Sequence, residues 1–120
     1  MNFSRHRFQD IIIFTAVRWN VQFDLSYRDL EQLLQERGVE VDHTSIYRWV
    51  QKFANKVKPD INRYRKYGEK WTLKEEPIQI KKSTQYLYEA VDQQGRTLDF
   101  LLSKKKDMKR AERFFEKVIE

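Results

Sequence analysis

The hydrophobic pattern of this chain changes period part-way along, and that change divides it. Up to about residue 58 apolar side chains recur at helical spacing; beyond residue 70 they alternate with period two. Phe8, Ile11, Ile12, Phe14, Val17 and Val21 form a broad apolar side, which predicts a first helix from Phe8 to Phe23. Ser26, followed three residues later by Asp29, is a variant of the capping box, so a second helix is expected to start there. Leu30, Leu33 and Leu34 continue it, and Gly38 supplies the left-handed residue at which such a helix stops. Asp42 then caps a third helix, His43 to Val57, which Pro59 brings to an end. Ile78 to Lys81, Gln85 to Asp92 and Thr97 to Ser103 read as strands, with a turn at Gln93-Gln94-Gly95-Arg96. A last helix is expected over Asp107 to Ile119, with Met108, Ala111, Phe115 and Val118 on one side. The expected fold class is α+β: an N-terminal helix-turn-helix module, then three strands and one helix.

The third helix carries the functional reading. Ile46, Trp49, Val50, Phe53 and Val57 fall on one stripe, expected to be buried. The other face holds Thr44, Ser45, Tyr47, Arg48, Gln51, Lys52 and Asn55, the donors, acceptors and cations that read base edges and phosphates in a major groove. Short polar residues at its N-terminal end allow close approach, and the amides there are expected to be free to favour a phosphate. An amphipathic helix with cations outside is more often a solvated surface. The combination argues for more: a capped helix, a glycine turn, a capped helix with a polar face, then a basic tail. Arg48 and Lys52 are expected on phosphates or guanine edges, with Thr44, Ser45, Tyr47 and Gln51 setting approach and base contacts. Arg63, Arg65 and Lys66 would add sequence-independent attraction, and double-stranded DNA is the expected partner.

Charge agrees with this. The net charge is +6, and from Arg48 to Lys70 eight positive residues face only Asp60 and Glu69, a bias that favours polyanions. With 40% hydrophobic and 35% charged residues the composition is that of a globular protein. The absence of cysteine excludes disulfides and thiolate metal sites, and His6 and His43 are too isolated for zinc. The longest apolar run, Ile11 to Phe14, is far short of a membrane span, so no membrane partner and a cytoplasmic location are expected.

The runs Ala16-Val17-Arg18-Trp19, Leu25-Ser26-Tyr27-Arg28-Asp29-Leu30 and Glu36 through Val50 resemble bacterial insertion-sequence transposases of the IS-six family, of DDE type. Tyr86-Leu87-Tyr88-Glu89-Ala90-Val91-Asp92 and Gly95-Arg96-Thr97-Leu98-Asp99-Phe100 resemble the nuclease domain of the same family. The resemblance implies a helix-turn-helix that binds terminal inverted repeats and a ribonuclease-H-like domain whose two Asp and one Glu hold divalent metal, Mg²⁺. It also implies domains at 1–58 and 71–120, the second an incomplete ribonuclease-H-like domain, with a basic linker at 59–70. Aligning on Trp71 and on Tyr86-Leu87-Tyr88 places Lys74 where the family carries its first metal-binding Asp. A cation cannot coordinate Mg²⁺, and the other two acids would fall after residue 120. The chain is therefore expected to be a truncated, transposase-derived DNA-binding protein with no catalytic residue, no metal ligand and no cofactor of its own; whether it is an enzyme stays undecided. Lys74, Glu75 and Glu76 are expected to form an exposed strand edge, and Phe100, Leu102, Phe114 or Phe115 to lack full cover. Two alternatives stay open: an active transposase subunit whose missing acids come from a second chain, and a non-DNA remnant or interaction module. A homo-oligomer is left open as well.

Overall fold

The computed structural model describes the backbone of residues 3–64 and 70–119, and within them the side chains of residues 7–61 and 70–119. Helices α1 (Phe3–Phe23), α2 (Tyr27–Glu36) and α3 (His43–Val57) come first, followed by a 3-10 helix, Lys58–Tyr64. Strands β1 (Thr72–Ile80), β2 (Ser83–Val91) and β3 (Thr97–Ser103) and helix α4 (Met108–Val118) complete the order. The chain separates into two compact units, residues 9–66 and residues 1–8 with 67–120.

In the helical unit the caps form as the sequence requires. Ser26 Oγ accepts from the Asp29 amide at 3.0 Å while the Asp29 carboxylate accepts from the Ser26 amide at 3.3 Å, a complete capping box. At the other end of α2 the Gly38 amide returns to Gln35 O and the Val39 amide to Leu34 O, both at 3.0 Å. Gly38 has φ +88°, so a Schellman turn closes the helix. Leu30 and Leu34 of α2 and Ile46 and Val50 of α3 are buried. Helix α1 differs from expectation in two ways. It starts at Phe3 rather than Phe8, and its buried surface is not a stripe, since Thr15 through Trp19 are all buried while Phe14 is 40% exposed. Tertiary contacts explain the early start: Arg7 and Phe8 are held by the sheet of their own unit, through an Arg7–Glu89 ion pair and an edge-on Phe8–Phe100 contact.

The sheet is an antiparallel meander, β1-β2-β3. It begins at Thr72, six residues before the apolar pattern shows a strand. Lys74, Glu75, Glu76 and Pro77 break that pattern, yet all four pair with β2, opposite Glu89, Tyr88, Leu87 and Tyr86. Proline is tolerated because β1 is an edge strand. Lys81, with φ +57°, turns the chain into β2. Alternation sends successive side chains to opposite faces. One face carries Tyr88, Ala90 and Leu101 against Ala111 and Phe115 of α4, with Trp71, Leu73, Tyr86, Phe114 and Ile119 packed around them. Phe100 and Phe115 are fully buried rather than under-covered. Phe8 covers the first, and the edges of Trp71 and Phe114 cover the second. Between β2 and β3, Asp92 fixes the turn: Oδ1 accepts from the Gln94 and Arg96 amides, both at 2.9 Å, and Oδ2 from Arg96 Nε at 2.8 Å. Burial works against that carboxylate, but the Arg96 amide and guanidinium and the Gln94 amide outweigh it and hold Asp92 below the usual carboxylate range.

Candidate nucleic-acid interface

A cap and a cross-link to α2 hold the start of α3. Asp42 Oδ1 accepts from the Ser45 amide at 2.9 Å, and the Glu31 carboxylate of α2 accepts from the His43 amide at 2.8 Å. His43 Nδ1 lies 3.4 Å from the same Glu31 oxygen. The Ser45 amide draws the Asp42 carboxyl below its ordinary range against an opposing desolvation, and the Thr44 amide adds to the lowering. The first amides of α3 are thus already taken, which corrects the expectation that they were free for a phosphate. A carboxylate caps this helix end, and it would repel an anion there.

Beyond that first turn, α3 sorts its side chains by phase. Ile46, Val50 and Val57 are buried. Trp49 and Phe53, expected in the same buried stripe, are only half-buried; the Phe53 ring packs edge-on against Phe14 at 5.4 Å, with the Lys52 and Lys56 ammonium groups over it at 5.3 and 5.7 Å. Thr44, Tyr47, Arg48, Gln51, Lys52 and Asn55 are all exposed, while Ser45 is half-buried with its amide committed to the cap. Charge therefore grades along the helix, from Asp42 at its start to Arg48, Lys52 and Lys56 further on. The side chain of Arg63, and Arg65 and Lys66 altogether, lie outside the described residues. A feature the sequence did not disclose ties the end of α2 to α1. Arg37, at the end of α2, is buried to 5% with its guanidinium 4.7 Å from the Trp19 ring centre. Its Nη1 donates to Leu33 O at 2.9 Å. A polar residue beside the Gly38 stop reads as a surface cation in one dimension; only the packing of α1 against α2 shows it as a buried stack.

In the sheet unit, Lys74 is exposed on β1 and pairs in register with Glu89. Glu89 is 1% exposed. Its carboxylate meets Arg7 Nη2 at 2.6 Å and accepts from Thr97 Oγ1 at 2.7 Å. Arg7 also reaches Glu76, at 3.4 Å. Glu75 points to the other face, as alternation requires. There it accepts from the Tyr88 hydroxyl at 2.9 Å and lies 3.7 Å from Lys106 Nζ. The expected exposed edge is therefore confined to Lys74, since Glu75 and Glu76 are half-buried and bonded.

Residues 68–120 match a family model for the DDE domain of IS240-type transposases. Along 99% of its length the chain is 39% identical to the transposase for insertion sequence-like element IS431mec of Staphylococcus aureus strain Mu50, and equally to that of strain N315. It is 38% identical, over the same share, to the transposase for insertion sequence element IS257 in transposon Tn4003 of Staphylococcus aureus. The chain is a relative of insertion-sequence transposases with a DDE domain. It spans about half the length of these relatives, 54% of each. No solved structure matches it.

Both the helical part and the sheet part of this transposase relative fall within the matched length, as the resemblance read from the sequence implies. The residues around Lys74 do not suit the divalent metal of that resemblance. An ammonium, Lys74, stands where the resemblance places the first metal-binding Asp, and the nearest carboxylates on its face, Glu89 and Glu76, are engaged by Arg7. Among the described residues no three His, Cys, Asp or Glu side chains converge on a point, whereas an oxygen-bound Mg²⁺ needs converging carboxylates. Among the described residues, too, no helix is long and apolar enough to cross a membrane.

Proposed function

We propose that residues 9–66 bind double-stranded DNA, with α3 laid in the major groove, and that this chain does not by itself cut DNA. The observation that carries the first part is the sorted surface of α3: six exposed polar or aromatic side chains on one side, Ile46, Val50 and Val57 buried on the other. Arg48 takes a base edge or phosphate, and Thr44, Tyr47 and Gln51 read bases. Ser45, half-buried, sets how closely the helix approaches. Lys52 serves the backbone, with Arg63, Arg65 and Lys66 adding sequence-independent attraction. The target is the terminal inverted repeat of an insertion sequence, as the resemblance read from the sequence implies, and the setting is the cytoplasm. The second part is supported by Lys74 and by the engagement of Glu89 and Glu76 with Arg7.

A salt titration of binding tests the first part. With three to five phosphate contacts, the log–log slope of affinity against salt is expected at about −2.7 to −4.5. A slope near zero, or no binding at low salt, would reject the DNA reading in favour of an interaction module.

A further inference from the structure

Tyr47 is an odd residue for an exposed helix face. It is 48% exposed, in the middle of the polar surface of α3. An aromatic side chain left in water normally samples several rotamers, and ordering it on contact costs binding free energy. Here it is not loose. The Tyr27 ring of α2 stands against it edge to face, with centroids 5.5 Å apart and planes at 81°. That is the favoured geometry of an aromatic pair, electropositive edge against electronegative face.

Tyr27 is itself well fixed. It is the first residue of α2, directly after Ser26, and both arms of the Ser26–Asp29 capping box close around it. It is half-buried, where Tyr47 is exposed. The two helices are further tied by Glu31 of α2 on the His43 amide of α3, so the Tyr27 ring and the Tyr47 backbone belong to one rigid frame. Neither ring lies in the stripe of Ile46, Val50 and Val57 that packs α3.

We propose that Tyr27 is a positioning residue for sequence discrimination: it holds Tyr47 in one orientation, so that Tyr47 meets the groove as a preset base contact. This rests on the DNA reading above. Tyr27 contributes little to affinity for DNA of any sequence, because phosphate attraction comes from the cations further along α3. It contributes to the ratio between a preferred site and an unrelated one, because only a contact of fixed geometry separates bases.

The test uses the whole chain and two duplexes: one enriched by the parent chain from a random-sequence pool, and a shuffled duplex of equal composition. Tyr27→Ala is expected to lower the discrimination ratio about two- to tenfold, with affinity for the shuffled duplex unchanged. Tyr27→Phe, which keeps the ring, restores the ratio. In the double variant, Tyr27→Ala adds nothing to Tyr47→Ala, since the first acts through the second. Should Tyr27→Ala loosen the fold, Tyr27→Leu at matched thermal midpoint is read instead. A variant that loses affinity equally on both duplexes, adds its loss to that of Tyr47→Ala, or changes nothing overturns the proposal while the DNA reading stands. A parent that enriches no duplex and binds none overturns both.

Discussion

Tyr88→Phe removes one oxygen from the fully buried centre of the sheet unit, and its loss can be followed by two routes. The hydroxyl donates to Glu75 Oε2 at 2.9 Å and accepts from the Asp107 amide at 2.8 Å. Asp107 is the N-cap of α4, its own carboxylate accepting from the Arg110 amide at 3.0 Å. A single hydroxyl therefore ties β1, β2 and the start of α4 together. Without it the Asp107 amide loses its acceptor, and among the described residues Glu75 keeps Lys106, at 3.7 Å. A buried group left unsatisfied costs about 1–3 kcal/mol, and a hydrogen bond to a charged group is worth about 1.5–3 kcal/mol. Glu75 retains some solvent, so a total of about 2 kcal/mol is expected. The second route is titration. Burial, reinforced by the hydrogen bond to Glu75, pushes the Tyr88 phenol up to about 12 from an ordinary 10.0. That preference for the protonated form corresponds to about 3 kcal/mol, the cost of a phenolate at this buried site rather than the worth of the two hydrogen bonds. Because the folded state holds this proton more tightly than the unfolded state, the contribution is complete below about pH 10 and is lost as pH rises toward 12. Urea unfolding of parent and variant across pH 7 to 12 measures it. The parent's advantage should stay level at about 2 kcal/mol up to pH 10 and shrink above it, and amides of α4 should exchange faster in the variant at pH 7. A difference below about 0.5 kcal/mol at pH 7, or one that persists undiminished at pH 12, would refute the reasoning.

Three further outcomes follow from the same geometry. Arg48→Ala should weaken DNA binding by about 1–3 kcal/mol if it touches a base, unequally across sequences, without moving the thermal midpoint; equal binding by parent and variant at low salt removes Arg48 from the interface. Arg7→Met should destabilise the sheet unit by about 1.5–3 kcal/mol, because Glu89, 1% exposed, loses its cation; an unchanged denaturant midpoint would show that the pair is neutral in net effect. Lys74→Asp should give no strand cleavage with Mg²⁺ or Mn²⁺, since a single restored carboxylate cannot hold two metals; cleavage by the purified variant would show that the remaining ligands are present in this chain after all.

Local signals in the sequence determined most of the helical unit. Ser26 with Asp29, Gly38, Asp42 and Pro59 act on backbone groups within a few residues, so the limits of α2 and α3 were legible in one dimension. So was the polar face of α3, because helical periodicity alone puts Arg48 and Gln51 opposite Ile46 and Val50. Lys74 stood out for a different reason, a charge at a position that the resemblance reserves for its opposite. Tertiary structure decided what depends on partners distant in sequence. Glu31 lies twelve residues before the His43 amide that it occupies, which closed the helix end expected to be free for phosphate. Tyr27 and Tyr47 meet only because the Schellman turn at Gly38 folds α2 onto α3. Glu75 and Glu76 read as an exposed edge, yet pairing with β2 turns one toward Tyr88 and the other toward Arg7. The start of α1 moved forward because Arg7 finds a buried carboxylate 82 positions away, at Glu89. Patterning records which face a side chain occupies, since that follows from backbone period. It does not record what will lie across from that face, because charges and rings find their partners only when distant segments are packed together.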